Sequence, residues 1–111
     1  MQKFLETMEK FIPAIQGEFD QYQKANFPER TPQFFCLELN GEAGELANLE
    51  KKLWKGRDIN TDLLDDEAAD VFIALMNYAN SRGINLGKAV ASKLEWIDGK
   101  MKELKKAGKE Y

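Results

Sequence analysis

The stretch from Thr31 to Gly56 reads TPQFFCLELNGEAGELANLEKKLWKG, and its punctuation is helical at both ends. Thr31 stands where an N-cap belongs, with Pro32 at the first helical position, where its missing N–H costs nothing. At the other end Lys51, Lys52 and Lys55 suit the negative end of a helix dipole, and Gly56 supplies the stop. Between them no β-type alternation competes, so the spacing predicts one helix over about 31–55. Gly41 and Gly44 fall inside it, where each costs about 1 kcal/mol relative to alanine. That cost implies a close backbone approach, by a neighbouring helix or by a ligand.

The same reading extends outward in both directions. Upstream, Phe4, Met8, Phe11, Ile12, Ile15, Phe19 and Tyr22 recur at helical spacing over about 2–25. Pro13 should kink or split this segment. Downstream, Asp62, Asp65, Asp66 and Glu67 load the first turns of a third helix, about 61–82, with the negative charge a helix start favours. Gly83 ends it. Asn85 then caps a fourth helix, about 86–106, whose apolar stripe is Val90, Leu94, Ile97, Met101 and Leu104. Four helices with short loops and no strand predict an all-α antiparallel helical bundle over residues 1–111, its core at about 31–106. A chain of 111 residues has a high surface-to-volume ratio, so the bundle is expected to be completed by self-association, as a homodimer or homotetramer.

Composition excludes several function classes. Net charge is −3, with lysines crowding the end of the chain, and no basic excess points to duplex nucleic acid. No apolar run reaches the length of a membrane span, and the charged start, MQKFLETMEKF, is no signal peptide, so a cytoplasmic location is expected. There is no histidine. That removes Ser-His-Asp and Cys-His catalysis, histidine-ligated zinc and Glu-x-x-His di-iron sites. The one cysteine, Cys36, sits among Phe34, Phe35 and Leu37 and reads as a buried structural thiol.

The chemistry left is carboxylate chemistry. Glu38, Glu42 and Glu45 lie within about 60° of one another on the second helix. Glu67 and Asp70 lie one turn apart on the third, with Asp66 beside them. Both sets interrupt apolar sequence, and antiparallel neighbours would turn them toward a shared groove. Two carboxylates about 5 Å apart repel by roughly 3 kcal/mol at an effective dielectric near 20. Either some are protonated or cations neutralise them. All-oxygen ligands favour Mg²⁺, with Mn²⁺ able to substitute, and such a site suits phosphoanhydride chemistry.

Gly41-Glu42-Ala43-Gly44-Glu45-Leu46-Ala47, followed by Asp66-Glu67-Ala68-Ala69-Asp70-Val71, Gly83-Ile84-Asn85-Leu86 and Ala89-Val90-Ala91-Ser92-Lys93, resembles the MazG-like nucleoside triphosphate pyrophosphohydrolases over roughly residues 34–96. The resemblance implies an all-α dimer or dimer of dimers. It implies Mg²⁺-dependent hydrolysis of (deoxy)nucleoside triphosphates to a monophosphate and pyrophosphate, in nucleotide-pool cleaning. Carried onto this chain, the Mg²⁺ ligands are Glu42, Glu45, Glu67 and Asp70, and Lys93 holds phosphate oxygens. Glu45 is the expected proton acceptor from the attacking water, with Glu42 beside it. The chain departs from family patterns at Leu94-Glu95-Trp96, where an asparagine is common, and at Ala74, where some pyrimidine-specific members carry tyrosine.

Other residues can join this reading. Asn77, on the stripe of Asp70, can contact a base. Glu38 can orient a ligand or a water. Lys52, Lys55 and Arg57 can offset charge on the leaving pyrophosphate, or serve as ordinary helix-end cations. Trp54 and Trp96 can stack on a base, or pack in the core or a subunit interface, and Phe27, Phe34 and Phe35 likewise. The main alternative is a non-catalytic helical oligomerisation or interaction module, in which the acids are dispensable. Asp58-Ile59-Asn60-Thr61-Asp62 begins like an EF-hand loop, but Leu63 and Ala69 occupy positions that need glycine and glutamate.

Overall fold

A computed structural model describes residues 1–111. Four helices follow one another with no strand: α1 (Gln2–Asn26), α2 (Pro32–Trp54), α3 (Asp62–Arg82) and α4 (Leu86–Lys106). The punctuation acts as its chemistry dictates. The Thr31 hydroxyl accepts from the Phe34 amide at 3.2 Å, with Pro32 following as the first helical residue. The Asn85 side chain accepts from the Lys88 amide at 3.0 Å. Gly83 closes α3 at φ 67°, a left-handed conformation that side-chain-bearing residues adopt at a cost. No helix is long and apolar enough to cross a membrane.

The closest packing is between α2 and α3, with α4 on α1 and a lesser contact of α1 with α3. On α2 after its first turn the half-buried and buried residues are Phe35, Leu39, Glu42, Leu46, Leu49 and Leu53; on α3 they include Leu64, Glu67, Val71, Ala74 and Tyr78. Both sets step by three and four, the spacing of a helix–helix seam. Glu42 and Glu67 thus occupy seam positions that leucine would normally fill.

A buried polar clamp joins the two halves. The Gln16 amide nitrogen donates to Asn80 Oδ1 at 3.3 Å and to the Ile84 carbonyl at 2.8 Å, while its oxygen accepts from the Leu86 amide at 2.8 Å. Asn80 donates in return to the Gln16 carbonyl at 3.1 Å. Every polar atom of the Gln16 side chain is therefore engaged, which makes its burial tolerable.

α1 runs as one helix through Pro13, so of the expected kink or split the split does not occur. The N-terminal turn of α4 seats against Met8 and Pro13, with Gly87 at the closest approach. A side chain at Gly87 would meet the Met8 carbonyl and the Pro13 ring. Gly87→Ala should therefore destabilise the fold by about 2 kcal/mol, as overpacking does. Chemical denaturation measures it; a midpoint equal to wild type would show that the α1–α4 seam yields freely.

The bundle is open. Its radius of gyration is 17.4 Å, against about 13 Å for a compact domain of this length. Most of the apolar stripe of α1 is uncovered, including Phe4, Phe11, Ile15 and Tyr22. Trp54 is 89 % exposed, Leu37 74 % and Trp96 55 %, and Phe27 and Phe34 are also exposed, while Phe35 is buried. Cys36 is exposed too, a correction to its reading as a buried thiol. Its position on α2 lies about 100° from the seam-facing Phe35, so the apolar neighbours beside it in sequence do not enclose it.

Candidate metal centre and adjoining pocket

The antiparallel α2–α3 seam brings the acidic stripes together. Carboxylate oxygens of Glu42, Glu67 and Asp70 lie within 4.8 Å of one another, with Glu42 and Glu67 half-buried and Asp70 exposed. One oxygen of Glu42 and one of Glu67 are fully buried and have no hydrogen-bond partner. Buried carboxylate oxygens without donors are rare, because desolvating a charge is costly unless a counter-charge replaces the water.

The electrostatics carry the same message. Burial raises the Glu67 pKa to about 7, helped by the close approach of Glu45 and by the charges of Glu45, Asp70 and Glu42. Burial also raises Glu42, with Asp70, Glu45 and Glu38 adding repulsion. Glu45 and Glu38 therefore sit within electrostatic reach of the cluster, on the exposed flank of α2. No lysine or arginine forms a salt bridge with any of these acids; the three ion pairs of the chain, Lys24–Asp20, Lys100–Glu103 and Lys102–Asp98, lie elsewhere.

Two features flank the carboxylates along α2–α3. Toward the C-terminal end of α2, Asn48, Lys51, Lys52, Lys55 and Arg57 surround a small concavity of about 260 Å³. Toward the other end, a cavity of about 830 Å³ lies between the connector Phe27–Thr31, the end of α1, and α3. Phe35 and Asn77 form part of its wall, with Gln23, Phe27 and Ser81. Asn77 is only 7 % exposed, and its side chain makes no hydrogen bond within the chain.

Other expected residues stand apart. Lys93 lies on α4, which packs on α1, and its ammonium sits 4.3 Å above the Trp96 ring. Trp54 stands on the outer flank of α2 beside Ala47 and Leu53. Gly41 and Gly44 face open space, so no segment of this chain makes the close approach their cost implies. Gln23 and Ser81 were not singled out from sequence. Ser81 follows Asn77 by one turn, after the apolar run Val71–Met76, and that spacing is the signal available; Gln23 offers none, since only tertiary packing brings α1 there. Comparison with known protein families, characterised proteins and solved structures finds no match for this chain.

Proposed function

We propose that this chain is a Mg²⁺-dependent nucleoside triphosphate pyrophosphohydrolase of the MazG-like kind, hydrolysing (deoxy)nucleoside triphosphates to monophosphate and pyrophosphate. The observation that carries the reading is the pair of unpaired, buried oxygens on Glu42 and Glu67, at seam positions and beside Asp70. A passive helical module gains nothing from carboxylates there and would be more stable with leucine. An all-oxygen donor set of this density fits a hard divalent cation, Mg²⁺ or Mn²⁺.

Glu42, Glu67 and Asp70 would hold the metal, with Glu45 completing the set. When bound, the cation supplies charge neutralisation at phosphate oxygens and an acidified water. Glu45, on the exposed flank, would accept a proton from the water attacking the α-phosphorus. Lys52, Lys55 and Arg57 offer positive charge to the departing pyrophosphate. Glu38 adds repulsion on Glu42 and would orient a ligand or a water at the cluster.

A second copy of the chain completes this reading. The accessible surface is 8403 Å², about 2,200 Å² more than a compact monomer of 12.7 kDa exposes. That excess is on the scale of an obligate interface. It also offers the approach that Gly41 and Gly44 leave room for, and a route for Lys93 to reach a phosphate it does not reach within its own chain.

The test is incubation with a panel of (d)NTPs and Mg²⁺, with products separated by anion exchange and the mass of the enzyme read by light scattering. Monophosphate and pyrophosphate from a dimer or tetramer are expected. Release of orthophosphate with a diphosphate would contradict the proposed bond, and a monomer would remove the second copy.

A further inference from the structure

We propose that the cavity between the α1–α2 connector and α3 takes the nucleoside half of the substrate, with the Asn77 carboxamide reading the edge of the base. The inference rests on the pyrophosphohydrolase reading for its substrate class, but its own support is the cavity and the state of Asn77.

Asn77 is more than nine-tenths buried and lines a cavity of about 830 Å³, and its amide has no partner within the chain. The residue is buried but its amide atoms are not sealed off, so two donors and one acceptor face the space of the cavity, where a ligand edge can replace water. The neighbouring polar side chain, Asn80, is already committed to Gln16. Asn77 on α3 and Gln23 on α1 are therefore the amides lining this cavity whose side chains make no hydrogen bond within the chain. An amide matches an edge that places a donor next to an acceptor, as nucleobases do. Phe35 and Phe27 give the cavity aromatic surface for the base faces.

Position gives the direction. Asn77 follows Asp70 by seven residues on the same stripe of α3, about 10 Å along the helix axis. That is on the scale of one nucleoside measured from its α-phosphate. The basic concavity of Lys52, Lys55 and Arg57 lies at the opposite end of the carboxylate cluster. A triphosphate laid along the groove would thus put its base at the Asn77 end and its pyrophosphate among the cations. The reversed substrate would bring phosphates to a wall where Asp20 and Glu29 stand beside Lys24 and Arg30, with Lys24 already paired to Asp20 at 2.8 Å.

The experiment uses the full-length, metal-free protein labelled with ¹⁵N, titrated separately with deoxynucleosides and with inorganic pyrophosphate. At least one nucleoside should shift the Asn77 side-chain amide and the Ser81 backbone amide, while pyrophosphate shifts Lys52, Lys55 and Arg57. Pyrophosphate at Asn77, or no nucleoside there, overturns the proposal. In turnover, Asn77→Asp and Asn77→Ser should change the ratio of kcat/KM between bases at least tenfold; an equal loss for every base, with Asn77 silent to nucleosides, also overturns it. Nucleoside binding at Asn77 without pyrophosphate release from any nucleotide would sustain the pocket and sink the proposed reaction. Pyrophosphate release with a silent Asn77 would do the reverse.

Discussion

Replacing Glu67 with glutamine is expected to lower hydrolysis about 1,000-fold while making the metal-free protein more stable than wild type. The two effects have one cause. In the folded chain Glu67 has an oxygen buried without a donor, and Glu45, Asp70 and Glu42 press negative charge upon it. Without a cation this carboxylate opposes folding, and a neutral amide of the same shape relieves the repulsion. With a cation it would become a ligand. Metal-assisted hydrolysis draws several kcal/mol from the ion, and each 1.36 kcal/mol is tenfold in rate, which sets the size of the loss.

Thermal denaturation separates the two effects. A tenfold to hundredfold excess of Mg²⁺ over its Kd should stabilise wild type by about 1.4–2.7 kcal/mol, or roughly 5–10 °C for a chain of this length. Glu67→Gln should begin higher and gain little. Glu9→Gln, on an exposed face of α1, serves as the control with unchanged behaviour. A Glu67→Gln protein that is less stable without metal, yet gains as much from Mg²⁺ as wild type, would mean that the carboxylate serves the fold alone.

Much of this was legible in the sequence because it is local. Thr31-Pro32, Gly83 and Asn85 mark helix ends by the geometry of their own backbone and side chains, which no distant residue has to supply. The convergence of Glu42 with Glu67 and Asp70 was legible for a related reason: helical periodicity fixes each stripe, and a short loop makes the stripes neighbours. What escaped depends on which surfaces are covered. The apolar stripe of α1 reads as core, yet Phe4, Phe11, Ile15 and Tyr22 remain exposed. Periodicity shows that a face is apolar and leaves open whether its cover belongs to the same chain. Cys36 fails likewise, since its phenylalanine neighbours in sequence point elsewhere around the helix. Pro13 departs from a local rule in the other direction, since the helix continues through it while the N-terminal turn of α4 packs beside it. The cavity near Asn77 could be read only in part, because its far wall comes from a connector and the end of α1 whose paths tertiary packing decides.

The pH dependence of the metal-free protein supplies the second large effect. Glu67 titrates near pH 7 in the folded chain, against an ordinary value of 4.5, chiefly because it is buried and then because Glu45, Asp70 and Glu42 surround it. Between those two values the folded state keeps a proton that the unfolded state has released, so stability falls as pH rises. The contribution is fully present below about pH 4.5 and is lost as pH passes 7. Glu42, raised by burial and by Asp70, Glu45 and Glu38, acts in the same direction. The exposed ion pairs of α1 and α4 offer little to oppose it. The melting temperature without metal should therefore decline from pH 5 to pH 8. Mg²⁺ held by Glu42, Glu67 and Asp70 would compete with those protons for the same oxygens, so binding would release protons and its stabilisation should grow as pH rises. Denaturation scans from pH 5 to pH 8.5, with and without 10 mM MgCl₂ (an excess on the order considered above), should show curves that nearly coincide at the acid end and diverge through neutrality. A Mg²⁺ effect of equal size at every pH would place the ion away from Glu67, at a site of fully ionised surface carboxylates. In Glu67→Gln most of the divergence should disappear, because the proton that the metal displaces is no longer there.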